Sequence, residues 1–132
     1  MVTQHAESGL VLIAHGARDP AWRQPFDSIR ETVAHASDSL VALCFLEFMS
    51  PDLLGASRDL KSRGANEIDV LPLFLGAGGH VRRDLPVLVE RVGEELSVPI
   101  RLLPSIGESP EIVAAIAHYC RDLQQGQVKN IK

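Results

Sequence analysis

The sequence predicts an α/β domain with a parallel four-stranded sheet and helices on both faces, and three observations carry that expectation. Short apolar runs alternate along the chain with stretches whose apolar residues recur every three or four positions, the pattern of strand followed by helix. The strand runs are apolar at successive positions, as in strands covered on both sides, rather than at every second one. Capping residues and prolines stand where helices should open.

Taken in order, Gly9-Leu10-Val11-Leu12-Ile13-Ala14 is the first strand, and Trp22, Phe26, Ile29 and Val33 make the apolar stripe of the first helix. Leu40 to Phe48 is the second strand. Ser50-Pro51-Asp52 reads as a helix start, with Ser as cap, Pro at the first helical position and Asp favoured by the positive helix end. Gly64 should stop that helix. Ile68 to Leu75 is the third strand, with an irregularity expected at Pro72, because proline is normally confined to strand edges, ends or bulges.

Asp84 and Pro86 mark the start of the third helix, unless it begins nearer His80, and Leu85, Leu88, Val89, Val92 and Leu96 form its stripe. Ile100 to Leu103 is the fourth strand. Ser109-Pro110-Glu111 opens a last helix, with Ile112, Val113, Ile116 and Leu123 expected to face inward. Four such units in sequence imply parallel strands joined by right-handed crossovers.

The 132 residues, 45% hydrophobic and 23% charged, suit one globular domain. No apolar run reaches the roughly 18 to 20 residues of a membrane span, and Met1 to Gly9 lacks the features of a signal peptide, so a cytoplasmic protein with no membrane partner is expected. A formal net charge of −4 with a single Trp and a single Tyr argues against a nucleic-acid partner. Cys44 in a strand and Cys120 on the apolar side of a helix read as two reduced, buried thiols.

In open parallel sheets, ligands bind beyond the carboxyl ends of the strands. The residues that follow the strands are His15-Gly16-Ala17-Arg18, then Glu47, then Gly76-Ala77-Gly78-Gly79-His80 with Arg82 and Arg83, then Ser105-Ile106-Gly107. Two histidines and a carboxylate thus fall on one rim from distant parts of the chain. Imidazole is a common ligand for cobalt, nickel, zinc and iron, carboxylate can complete such a site, and neutral imidazole also accepts a proton. The glycines let backbone approach a flat ligand or present N–H groups to an anion. Each feature alone has an ordinary explanation: a loop histidine, a solvated carboxylate, a solvated arginine face. His5, His35 and His118 lack the convergence and read as structural.

The blocks Leu12-Ile13-Ala14-His15-Gly16-Ala17-Arg18, Leu46-Glu47-Phe48, and Leu71-Pro72-Leu73-Phe74-Leu75 leading to Gly79-His80-Val81-Arg82-Arg83-Asp84-Leu85-Pro86 resemble the sirohydrochlorin chelatase family in its short, CbiX-type form. The resemblance covers residues 9 to 123, leaving 1–8 as an N-terminal extension and 124–132 as a polar tail. It implies a class II chelatase fold and insertion of a divalent metal, cobalt first, nickel or iron in sibling pathways, into sirohydrochlorin. The metal is then a substrate and no cofactor is permanently bound. It also implies a homodimer, since the short form corresponds to about half of the long one.

His15 and His80 match the family's two active-site histidines, and Glu47 matches a carboxylate implicated as a metal ligand. Arg18, Arg82 and Arg83, with Gly78 and Gly79, would meet the carboxylate-bearing tetrapyrrole. Ala17 stands where a Ser is common, and the His-rich segment of some archaeal relatives is absent. Two other classes fit the same residues. One is a non-catalytic metal or tetrapyrrole carrier. The other is a histidine-phosphatase-like enzyme, against which stands Ala14 in the place of the Arg that normally precedes such a histidine.

Overall fold

The structure is a computed structural model and describes residues 7–126. Strands β1 (Glu7–Ala14), β2 (Leu40–Phe45), β3 (Ala65–Pro72) and β4 (Ile100–Leu102) form one sheet in the order β2-β1-β3-β4, and every pairing is parallel. The helices between them are α1 (Gln24–Ala36), α2 (Leu53–Ser62), α3 (Gly79–Leu96) and α4 (Pro110–Gln124). His5 and residues 127–132 of the expected polar tail lie outside the described residues.

The strands alternate sides, so the sheet carries two cores. On one side Val11, Ile13, Cys44, Ile68 and Val70 pack against Leu53 and Leu60 of α2 and against Leu85, Val89 and Val92 of α3. On the other, Leu12, Ala14, Val41, Leu43 and Phe45 receive Trp22, Phe26 and Val33. Val11 to Ala14 are buried without a break, because β1 is central and covered on both faces, as its unbroken apolar run requires.

Several boundaries move for identifiable reasons. Trp22 stands in a short 3-10 turn, Pro20–Arg23, before α1, and Ile29 is 39% exposed, so the first stripe is narrower than its spacing suggests. The cap of α2 is Asp52, whose carboxylate accepts from the Gly55 N–H at 2.8 Å; Ser50 precedes a cis peptide to Pro51 and does not cap. Gly64 follows α2 with φ +111°, the left-handed stop expected of it.

Pro72 causes no bulge. The Ile68 N–H bonds toward β4 at Pro99 and the Leu73 N–H toward β1 at Ile13, so the missing N–H of Pro72 faces the β4 side. There the β3–β4 pairing already ended at Val70 and Leu102. The register shift that does occur lies between Glu7 and Ser8. Helix α3 starts at Gly79, five residues before Asp84, so Pro86 lies inside it. That puts His80 on the first turn of a helix rather than in a loop.

Two expectations fail at the C-terminal end. Helix α4 begins where Ser109 and Pro110 predict, with Ser109 accepting from the Ile112 N–H, but it buries no residue and packs on the 3-10 turn Ile106–Glu108 instead of the sheet. Val113, Ile116 and Leu123 are exposed rather than inward-facing, and Cys120 on the same helix is exposed rather than buried. Periodicity marks a face as apolar and is silent about what covers it. Among the described residues no helix is long and apolar enough to cross a membrane.

Cys44 is fully buried, and that burial, with the nearby negative charge of Asp52, pushes its thiol well above the ordinary range. In a Cys120→Ser variant, the remaining thiol should resist a thiol-specific reagent at pH 8 until denaturant is added. Fast labelling of the folded variant would contradict the packing described for β2. Because the folded state keeps this proton when the unfolded chain can release it, stability should also decline as pH rises past about 9.

Candidate active site at the carboxyl rim of the sheet

The rim is assembled by backbone bonds that join the segments just past the last strand residues. The Leu46 N–H donates to the Ala14 carbonyl at 3.0 Å and the Glu47 N–H to the His15 carbonyl at 3.1 Å, which ties the segment after β1 to the segment after β2. Gly16 turns the chain with φ +90°, and a Cβ there would run into the Glu47 carbonyl. Glycine is therefore required twice at one position, by dihedral angle and by space. Phe48, one residue on, has φ +67°, uncommon for a large side chain, and the residue is 55% exposed. The Arg18 guanidinium lies 4.5 Å over the Phe48 ring.

His15, Glu47 and His80 line one cavity of about 240 Å³ together with Leu46, Val81, Asp84, Leu85 and Leu88. The three residues singled out in the sequence thus share a pocket although they come from the segments after β1 and β2 and from α3. The His15 ring stacks on the buried Phe74 at 4.2 Å between centroids, which restrains its plane. His80 Nε2 lies 3.1 Å from the Asp84 carboxylate one turn along α3, and Nδ1 lies 3.4 Å from the Arg83 guanidinium. A neutral ring with its proton on Nε2 satisfies both partners, donating to Asp84 and accepting from Arg83. Asp84 also reaches Arg83 at 3.6 Å. The His80 side chain is 80% exposed, so these are soft restraints that a ligand can displace.

The basic residues divide. Arg82 lines a neighbouring apolar cleft of about 400 Å³ formed with Pro72, Phe74, Leu102, Pro104 and others. The two cavities meet at Val81 and Leu85. Arg83 is engaged with His80 and Arg18 with Phe48, so each of the three arginines has a separate station on the rim. Gly78 caps α3 and Gly79 begins it; a Cβ at either would meet open space, so no packing demands glycine there. Among the described residues no three His, Cys, Asp or Glu side chains come close enough to hold an ion together. The pocket therefore carries donors without forming a closed cage.

The sequence reading did not count Asp84 or Phe48 among the site residues. Asp84 had a signal, its i, i+4 spacing from His80, readable only once both are known to lie on one helix. Phe48 had none, because it reads as the end of an apolar strand until the left-handed backbone turns it outward.

The CbiX family profile matches residues 9–123. The sirohydrochlorin cobaltochelatase of Saccharolobus islandicus is 34% identical over 107 residues, covering 81% of this chain and 79% of that one. A CbiX protein from Marinobacter aquaeolei superposes with TM-score 0.81 at 31% identity, over 89% of this chain and 98% of that one. The sirohydrochlorin chelatase SirB from Bacillus subtilis, in complex with cobalt, superposes with TM-score 0.74 at 27% identity, over 88% of this chain but 50% of its own.

Replacing Gly16 by Ala should lower stability by at least about 1–2 kcal/mol, since the left-handed dihedral and the Glu47 carbonyl both oppose a side chain. Denaturant midpoints of the two proteins measure it, and equal midpoints would contradict the joint described between His15 and Glu47.

Proposed function

Since the chain belongs to the CbiX family, we propose that it is a chelatase that inserts a divalent metal ion into sirohydrochlorin, with cobalt(II) the first candidate and nickel(II) or iron(II) the alternatives. The observation that carries this reading is the convergence of His15, Glu47 and His80 on one cavity at the carboxyl rim of a parallel sheet. Its support from relatives is the sirohydrochlorin cobaltochelatase name of the Saccharolobus protein and the cobalt complex of SirB. The metal is a substrate here, and no permanently bound cofactor is part of the reading.

Insertion requires two pyrrolic N–H protons to leave as the metal enters the macrocycle. His15 and His80 supply neutral imidazole, either to hold the incoming ion or to accept one of those protons, and Glu47 adds an anionic oxygen. Asp84 orients the His80 ring and stabilises it when it takes up a proton. Phe48 offers its exposed ring as a surface for the macrocycle, and the apolar cleft beside Arg82 accepts one of its edges. Arg18, Arg82 and Arg83 pair with the tetrapyrrole carboxylates, and the open space at Gly78 and Gly79 lets the macrocycle lie close to the start of α3.

A mixed nitrogen–oxygen donor set does not by itself rank cobalt, nickel and iron, so supply of metal sets the outcome between cobalamin, nickel-tetrapyrrole and sirohaem routes. The reading puts the protein in the cytoplasm and pairs it with a second copy of itself, in keeping with its correspondence to half of the SirB chain.

Anaerobic insertion into sirohydrochlorin, followed by absorbance with Co²⁺, Ni²⁺ and Fe²⁺ in parallel, tests the reading. Catalysed turnover should fall at least about 100-fold in His15→Ala and His80→Ala, within the range typical of losing a positioned base. No acceleration over the spontaneous rate by folded wild type would favour a carrier, and unchanged rates in the variants would remove the site assignment. Asp84→Asn should reduce turnover less than His80→Ala does, and the reduction should disappear in the His80→Ala background. Additive losses in the double variant would mean that Asp84 acts independently of His80.

A further inference from the structure

We propose that Phe74 is the positioning residue of His15: it holds the imidazole by its flat face, so that both ring nitrogens stay free for the incoming metal or a pyrrolic proton. The proposal deepens the chelatase reading and rests on it.

Sheet register places the pair. β1 and β3 run in parallel up to Ile13 and Pro72, and two residues further along each segment stand His15 and Phe74. Backbone bonds secure the β3 side of the contact. The Leu73 N–H donates to the Ile13 carbonyl at 2.8 Å, and the Phe74 carbonyl accepts from the Gly107 N–H at 3.0 Å. The Phe74 side chain is 2% exposed and belongs to the core that Leu85 and Val89 of α3 share, where close packing leaves little room to shift. An exposed histidine thus lies against a buried plate, with 4.2 Å between ring centroids and 26° between planes.

The two histidines of the site are held by different means. His80 engages both nitrogens, one with Asp84 and the other with Arg83. Among the described residues the His15 side chain makes no hydrogen bond or ion pair, and its ring contact is with Phe74. A hydrogen-bond partner would select one tautomer and occupy one nitrogen. An aromatic face does neither, because it restrains the ring through dispersion and its quadrupole. The choice of nitrogen is then left to the ligand. Phe74 also lines the apolar cleft beside Arg82, where an edge of the macrocycle is proposed to sit. One rigid side chain therefore sets the imidazole and borders the seat of the tetrapyrrole, which fixes the position of each relative to the other.

Nuclear magnetic resonance of the full, metal-free chain with ring-labelled histidine tests the contact without turnover. The His15 ring protons, identified by their loss in His15→Ala, should lie upfield of those of His35, an exposed histidine with no ring contact, because the Phe74 ring shields them. Phe74→Leu should abolish that displacement. In anaerobic Co²⁺ insertion into sirohydrochlorin, Phe74→Leu should lower kcat at least about 10-fold, a loss in keeping with a misplaced reacting group. Phe74→Tyr, which keeps the ring, should recover most of it. In the His15→Ala background Phe74→Leu should bring no further loss. Should Phe74→Leu fail to fold, Phe74→Met fills the space without a ring and takes its place in each comparison. An equal loss in the His15→Ala background would overturn the role of Phe74 alone. So would turnover by a wild type whose His15 signals coincide with those of His35. No turnover by folded wild type would overturn the chelatase reading and this role with it.

Discussion

Parallel pairing of β1 with both β2 and β3 is the constraint on which the rest of the molecule depends. A strand paired on both edges and covered on both faces leaves no polar backbone to water, so its run from Val11 to Ala14 is wholly apolar. Parallel direction also sends every strand's carboxyl end to the same edge. The segments after β1 and β2 are then joined by two more backbone bonds, and these set His15 beside Glu47. Candidate site residues separated by some thirty positions become neighbours through sheet topology, not through any motif.

The rim uses rigidity and openness at different atoms. Gly16, the stacking of His15 on Phe74 and the strained Phe48 backbone are fixed by space and dihedral angle. The contacts of His80 with Asp84 and Arg83 are solvent-facing and weak, so the ring can be redirected at little cost. Such a division suits a protein whose metal must be taken up and then given away. A site with a complete cage would bind the ion well and release it badly.

Helix α4 illustrates how a fold can obey sequence rules locally and depart from them globally. Its start, cap and stripe all follow from Ser109, Pro110 and the apolar spacing. Yet after the tight turn at Gly107 it packs on the 3-10 turn and not on the sheet, leaving its apolar stripe exposed. Local rules give the helix its face, and the joint decides what that face can meet.

What the sequence by itself determined was the order of elements, the parallel four-stranded sheet, and the carboxyl rim as the place where His15, Glu47 and His80 gather, because periodicity and the geometry of βα units are local properties with one global solution. The harmlessness of Pro72 followed from where β4 ends, which no residue near Pro72 reports. The start of α3 at Gly79 made Asp84 a partner of His80, and the left-handed backbone at Phe48 turned a strand-like residue into an exposed platform. Exposure of Cys120 and of the α4 stripe depended on a single turn in the chain. These were decided only by the tertiary structure, because a residue's neighbours across space depend on where other segments stop, and that information is not carried by its own stretch of sequence.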